Sequence, residues 1–366
     1  MKSLTVLYGQ PDHRSTSFQT TQLVKSLKPC LNPNYYRVKS FVDCKWATSL
    51  NRLLSSYVRP LFHQPTSDYL LYCNDGIADL SQWKKTKKII YWYDAYSDWS
   101  ITPPQRKDWV HWLRYKNILN ADYVFAVSHL QVEIAKRMRP DRPDTVFYMP
   151  VGVHCDIFDP ESVETELVYD RFNIPKDKVI VGYLGYLGIR GGSFAGQEIL
   201  DVAEEVIKQQ NTHFLIVGFG EALPIFKDKV AQLGLESSFT FTGYVEDEIV
   251  PGCVGVMDIC IDTLEPGIHS EARSETKLKQ YMAMGKACVA TAIGENCVDL
   301  DQGNAGVLVA PGPDNLLRGI ISLCEDEKLR LSLGKNARQR AVDLYDWSQL
   351  AGKMIENLNL AETQPI

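Results

Sequence analysis

Short apolar runs alternate along this chain with longer stretches in which apolar residues recur at helical spacing. Lys2–Tyr8, Tyr35–Val42, Tyr69–Cys73, Lys88–Tyr93, Tyr123–Val127 and Thr145–Met149 read as strands, each bounded by turn-forming residues. Between them, Ser15–Leu27, Ser49–Phe62, residues 104–120 and a stretch capped by Ser128 and ending near Met138 read as helices. The rhythm resumes with strands at Val179–Gly185, His213–Val217, Phe239–Gly243 and Ile259–Asp262, and with helices over 196–209 and 221–233. Strand and helix alternating throughout predict parallel sheets covered on both faces. The turn-rich segment Pro150–Pro160, followed by a glutamate-rich polar stretch, divides the chain into two halves.

The run Ser274–Thr291 holds the most chemical information. Leu278, Tyr281 and Met282 share one helix face, Gly285 stands where a left-handed stop belongs, and Ala287–Thr291 reads as a covered strand. Ser274, Glu275, Thr276, Lys277 and Gln280 are left as polar groups around the helix N-terminus. Free backbone N–H groups and the positive end of the helix dipole suit a diphosphate there. Lys277 adds a point charge, and Gln280, one turn on, reaches toward the hydroxyls of an attached sugar.

At 366 residues, with 45% hydrophobic and 23% charged positions, the chain has room for two domains with full cores. No apolar run reaches the length of a transmembrane helix, and Met1–Tyr8 runs straight into a first strand rather than reading as a leader. Nine cysteines without a C-x-x-C pair point to free thiols in a reducing cytosol, and no metal site is expected. The net charge of −6 conceals a split: residues 1–155 carry 21 basic against 12 acidic side chains, +9, and the remainder carries 18 against 33, −15. A basic first half fits an anionic membrane surface or a lipid diphosphate, at the inner face of a membrane, and no nucleic-acid recognition motif accompanies it. Opposite charges that help two domains face each other explain the split equally well. Trp109, Trp112, Leu113 and Lys116 form a helical stripe that fits either a core or an interfacial face.

Other segments carry candidate chemistry. Gly182–Gly192 is a strand running into a glycine-rich loop, where Arg190 can grip phosphate oxygens. Val217-Gly218-Phe-Gly-Glu221 is a tight turn without the third glycine of a dinucleotide fingerprint. Tyr93–Trp99 follows a strand, so Asp98 and Asp94 are candidates to deprotonate and orient a hydroxyl, with helix capping as the plain alternative. His111, His129 and His154 read as packing or loop histidines.

The helix ending Tyr281-Met-Ala-Met-Gly-Lys286 and followed by Val289-Ala-Thr291 resembles the donor-site helix of GT-B glycosyltransferases, nearest the retaining family 4, or glycosyl transferases group 1. Pro150-Val-Gly-Val153 before Phe158-Asp-Pro160 is similar to the hinge of those enzymes, and Asp346-Trp-Ser-Gln-Leu350 to the start of their last helix. The resemblance implies an α/β fold of the GT-B class, two Rossmann-like parallel-sheet domains facing a cleft. Residues 1–155 with helix 346–366 would bind the acceptor and 156–345 the donor. It implies a metal-independent transfer of sugar from a nucleotide-sugar to a glycan or lipid-linked acceptor, as in surface polysaccharide or glycolipid synthesis. The nucleotide-sugar is a substrate, and no cofactor is implied. Donor-binding positions carried over are Arg190, Lys277, Gln280, Glu275, Thr276, Gly218, Tyr244 and Val245, with Gly9 in an acceptor or phosphate loop and Asp98 and Asp94 as catalytic carboxylates.

Three departures qualify this. Tyr186 stands where the family offers an arginine, and Arg190 roughly replaces its lysine. The family's two glutamates, eight residues apart, fall on Ala272 and Gln280. Some inverting GT-B enzymes carry Lys and Gln in the relation of Lys277 and Gln280, so retention is favoured over inversion only by the wider resemblance. A GT-B sugar-nucleotide epimerase and a non-catalytic nucleotide-sugar-binding subunit remain the alternative readings.

Overall fold

In the computed structural model the described residues are 2–8, 22–28, 31–37, 67–73, 80–92, 109–190 and 193–363. The chain divides into two compact units, one of Met1–Gly152, Gly267–Ser274 and Trp347–Ile366, the other of Val153–Pro266 and Glu275–Asp346.

The first unit is built on six parallel strands: β1 Lys2–Tyr8, β2 Leu31–Arg37, β3 Tyr69–Cys73, β4 Lys87–Trp92, β5 Tyr123–Ala126 and β6 Val146–Tyr148. Their order is β2-β1-β3-β4-β5-β6, with Val6 opposite Leu71 and Tyr91 opposite Phe125 in register. Because side chains alternate along a strand, the same apolar runs feed two cores. Leu71, Ile89, Tyr91 and Phe125 enter one, with Leu23, Val24 and Leu27 of helical residues 22–27. Leu70, Tyr72, Ile90, Trp92 and Val124 enter the other, with Ile118 of α1 (Trp109–Asn120) and Val132 and Ala135 of α2 (His129–Met138). Ser128 caps α2 as expected, its Oγ accepting from the Gln131 N–H at 3.1 Å.

Helix Trp347–Thr363 lays Trp347, Leu350, Ala351, Met354 and Leu358 onto the first of these cores, an amphipathic stripe at helical spacing. Full burial of each large apolar side chain contributes about 1.5–3 kcal/mol, which ties this returning helix to the first sheet. Gly267–Ser274 is held here too: Ala272 packs on Leu130 and Ile134, and Ser274 Oγ accepts from the Val151 N–H at 3.2 Å. The structure differs from the sequence expectation at β2, which starts at Leu31 rather than Tyr35 and includes Pro33. Proline is tolerated because β2 is the edge strand, paired with β1 alone among the described residues.

The second unit carries β7 Val179–Leu184, a short antiparallel hairpin of β8 Ile189–Arg190 and β9 Ser193–Phe194, then β10 Thr212–Val217, β11 Phe239–Gly243, β12 Ile259–Asp262, β13 Ala287–Thr291 and β14 Val307–Val309. The main sheet is parallel in the order β11-β10-β7-β12-β13-β14. Counting its strands along the chain, this is the 3-2-1-4-5-6 order of a dinucleotide-type sheet, with the switch between β7 and β12. Val181, Tyr183, Phe214, Ile216, Ile259 and Ile261 face α3 (Gln197–Gln209), and Ile180, Leu215, Cys260 and Cys288 face α4 (Thr276–Ala283). The sheet sits tightly on its neighbours, since a Cβ on Gly182 would meet Met257 Sδ at 2.2 Å.

His213, at the start of β10, is buried with Nε2 2.8 Å from Thr240 Oγ1. Burial, helped by the Lys178 charge, lowers its pKa to about 4. Between that value and the unfolded pKa of about 6.5 the unfolded chain holds the extra proton, so stability falls as pH drops through this window. His213→Gln should flatten the slope of melting temperature against pH between about 6.5 and 4. An unchanged slope in thermal melts would place the acid sensitivity elsewhere.

Candidate functional site

Ligands of parallel sheets bind beyond the carboxyl ends of the strands, where neighbouring connections leave in opposite directions. In the second unit that place lies past Leu184 of β7 and Asp262 of β12. Helix α4 precedes β13 and runs against the strand direction, so its N-terminus opens at this same end. Its far end closes as the sequence predicts: Gly285 has φ +65°, its N–H donates to Met282 O at 2.9 Å, and the Lys286 N–H donates to Tyr281 O at 3.0 Å. Those two bonds make a Schellman stop and fix the length of α4.

Two side chains tie α4 to the strand ends. The Leu184 N–H donates to Tyr281 Oη at 2.7 Å, and Lys277 Nζ lies 3.0 Å from Asp262 Oδ1. Lys277 also sits 4.6 Å above the Tyr183 ring. Its side chain is 15% exposed, whereas that of Asp262 is 0% exposed. Burial pushes the Lys277 ammonium toward neutrality, but Asp262, Tyr183 and Glu275 outweigh it and hold its pKa well above the ordinary value. The ammonium is therefore charged at any physiological pH. Glu198, on the first turn of α3, is raised by burial and then by Glu265, while Lys277 acts in the opposite sense. Two residues along, Lys279 points the other way and pairs with the fully buried Asp299.

A second arm of the site lies past β7, β10 and β11. Gly218 has φ +147°, and a Cβ there would fall 1.9 Å from Gly185 O, so only glycine lets the two loops touch. The Gly185 N–H donates to Val217 O at 3.0 Å, and the Leu187 N–H to Phe219 O at 2.8 Å. Glu221 accepts from the Tyr186 hydroxyl and, at 3.2 Å, from the Ile189 N–H. Tyr244 follows β11 as an exposed ring, while the Val245 side chain is buried in the core beneath it.

The structure thus gathers Glu275, Thr276, Lys277 and Gln280 at the start of α4, and Gly218 and Tyr244 beside the glycine turn. Val245 can offer only its backbone. Arg190 lies in the β8 turn with its side chain outside the described residues, and Gly9, Asp94 and Asp98 lie outside them altogether. Ala272, where the family carries a glutamate, packs in the first unit. Sequence reading passed over Asp262, whose signal was a charge closing the apolar run Ile259-Cys-Ile, and Phe219, flanked by two glycines. The aromatic stripe on α1 divides: Leu113 is buried, and Trp112 is 51% exposed with Lys116 Nζ 5.2 Å from its ring. No helix among the described residues is long and apolar enough to cross a membrane.

Residues 179–326 match the family model described as glycosyl transferases group 1. An uncharacterized glycosyltransferase of Methanocaldococcus jannaschii is 29% identical over 237 residues, covering 63% of this chain and 56% of the relative. The 2-deoxystreptamine glucosyltransferase of Streptomyces kanamyceticus is 24% identical over 207 residues, covering 56% and 51%. The aligned region spans about half the length of these curated relatives. Among solved structures, a glycosyltransferase from Rickettsia africae aligns with a TM-score of 0.73 at 18% identity over 99% of both chains. Anabaena HepE in complex with UDP-glucose aligns at 0.72 and 15% identity over 98% of this chain and 100% of its own. At these identities the likeness is one of fold, the two-sheet GT-B fold that the sequence resemblance implied.

Lys277 and Asp262 should be coupled energetically. Lys277→Met strips a buried carboxylate of its cation, and breaking such a pair from one side costs about 3–5 kcal/mol. Adding Asp262→Asn should return much of that loss. Thermal melts in which the two losses simply add would show that the pair does not act as a unit.

Proposed function

We propose that this chain, which belongs to the glycosyl transferases group 1 family and has the GT-B fold, transfers a hexosyl group from a nucleoside diphosphate sugar to a glycan or lipid-linked acceptor. The observation that carries the reading is Lys277, whose ammonium is held 3.0 Å from Asp262 beside the N-terminus of α4 at the switch point of the second sheet. As the sugar's anomeric C–O bond breaks, negative charge gathers on the departing diphosphate. A fixed ammonium and the first-turn N–H groups of α4 stabilise that charge where it forms. Arg190 in the glycine-rich turn is our choice for the second cation, and Gln280 for contacts with the hydroxyls. UDP-glucose is the first donor to test, because HepE, a neighbour in fold, is described in complex with it.

Asp98 is our first choice, and Asp94 our second, for the carboxylate that takes the proton of the acceptor hydroxyl. Retention of anomeric configuration is our reading for the stereochemistry, and in that case the leaving phosphate shares the base role. Three charged or polar groups from the chain replace a metal in this scheme.

With UDP-glucose and an acceptor, UDP release should require the acceptor and should continue in excess EDTA. Donor turnover without acceptor would favour the epimerase reading. Activity lost in EDTA and restored by magnesium or manganese would overturn the metal-free scheme. Asp98→Asn should lower turnover by about 10²–10⁴-fold with donor affinity retained, as for loss of a general base. A wild-type rate in both the Asp98→Asn and Asp94→Asn variants would leave proton removal to the phosphate.

A further inference from the structure

Lys279 is a buried charge that the transfer scheme leaves unused. It lies two residues after Lys277 on α4, and at about 100° per residue the two side chains leave the helix about 200° apart. Lys277 pairs with Asp262 at the strand ends, whereas Lys279 pairs with Asp299, and neither member of this second pair has any exposed surface. The Tyr345 ring lies 5.4 Å from the same ammonium. Asp299 and Tyr345 are themselves held. Arg340, at the end of α5 (Glu327–Arg340), donates from Nε to Asp299 O at 3.1 Å and from Nη2 to Val298 O at 2.8 Å. Tyr345 ends the π-helical turn Ala341–Tyr345 that continues α5, and its carbonyl accepts from the Val153 N–H at 2.9 Å. Arg338, also on α5, donates to Ala283 O at 2.7 Å in the last turn of α4.

Packing alone does not call for such a pair. A buried ion pair is often no more stabilising than apolar side chains of the same volume, and Leu278, Tyr281 and Met282 already bury α4 in the core. Apolar contacts tolerate small rotations and shifts, whereas two opposite charges in a dry core have one arrangement. α4 has eight residues, too few for a helix to hold its shape unaided, so tertiary ties set the direction of its first turn. Lys279 belongs to that first turn, the one whose N–H groups and Lys277 are assigned to the diphosphate.

We propose that Lys279, Asp299 and Tyr345 are positioning residues for sugar transfer, an anchor on the far side of α4 that fixes the rotation of the helix. Lys277 and the first-turn N–H groups then meet the diphosphate without rearrangement. The proposal rests on the donor reading above and adds to it three residues that touch no substrate. Tethered at one point only, α4 can turn about the Lys277–Asp262 contact. The second tether removes that freedom, holding Lys277 through the backbone of its own turn.

The test is calorimetric titration of the full chain with UDP, set beside thermal melts. Lys279→Met with Asp299→Asn removes both charges at once and leaves the net charge unchanged, so neither a stranded buried charge nor a long-range field enters the comparison. Its melting temperature should match or exceed that of the wild type. UDP affinity should nevertheless fall by about tenfold, within the range for coupled neighbours. The same loss is expected for Lys279→Leu with Asp299→Leu, an independent apolar filling. In a chain that already carries Lys277→Met and Asp262→Asn, adding Lys279→Met and Asp299→Asn should cost much less, because the ammonium being positioned is gone. Losses that simply add would overturn the positioning role, as would wild-type UDP affinity in either folded variant. A chain that folds with neither substitution pair would make Lys279 and Asp299 a requirement of the fold itself, and would overturn the role too. A wild-type chain that binds neither UDP, GDP nor ADP would remove the donor reading, and the anchor's role with it.

Discussion

The ion pair between Lys277 and Asp262 joins two elements that are remote in the chain, the end of β12 and the first turn of α4, at the switch point of the second sheet. A carboxylate with no exposed surface is expensive to remove from water, and it is tolerated here because an ammonium lies 3.0 Å away. The same proximity acts on the lysine, whose burial alone favours the neutral amine. Asp262 reverses that preference, so the charge is fixed in place and in protonation state. Preorganised charge of this kind is worth more to a reaction than a mobile surface lysine, because no rearrangement is needed when negative charge develops.

Around this pair the sheet makes two arms of different character. On the α4 side are a helix N-terminus, Lys277 and Gln280. On the β7–β10–β11 side are glycine turns pressed together, exposed rings and Glu221. Both arms arise from the parallel topology, which delivers every strand's carboxyl end to one edge and leaves the loops to carry the chemistry. For the acceptor side our choice is Asp98 and Asp94, which follow a strand of the first sheet in the sequence and lie outside the described residues.

The parallel sheets were legible because short apolar runs separated by amphipathic helices leave few alternatives, and α4 with its Gly285 stop was readable almost to the residue. β2 was misplaced because Tyr35 and Tyr36 drew attention from Leu31–Asn34, and only an edge position excuses a proline in that strand. In the site, Lys277 could be picked out from sequence because it sits in a motif at a helix start. Asp262 could not, because its role exists only when β12 and α4 come together. Lys279 shows the same limit in reverse: it lies in the same motif as Lys277, but helical geometry turns it onto buried Asp299. Side chains that act through tertiary neighbours leave no local pattern to read.

The central claim is that Lys277 at the start of α4 receives the diphosphate of the donor, and phosphorus NMR of UDP tests it most directly. Addition of the wild-type chain should shift and broaden the resonance of the β-phosphorus. In the doubly substituted Lys277→Met, Asp262→Asn chain, which removes the cation and its buried partner together, that resonance should stay at its free position while the melting temperature stays near wild type. The same shift and broadening in the doubly substituted chain would contradict the account, as would a wild-type chain that leaves the phosphorus resonances of UDP untouched.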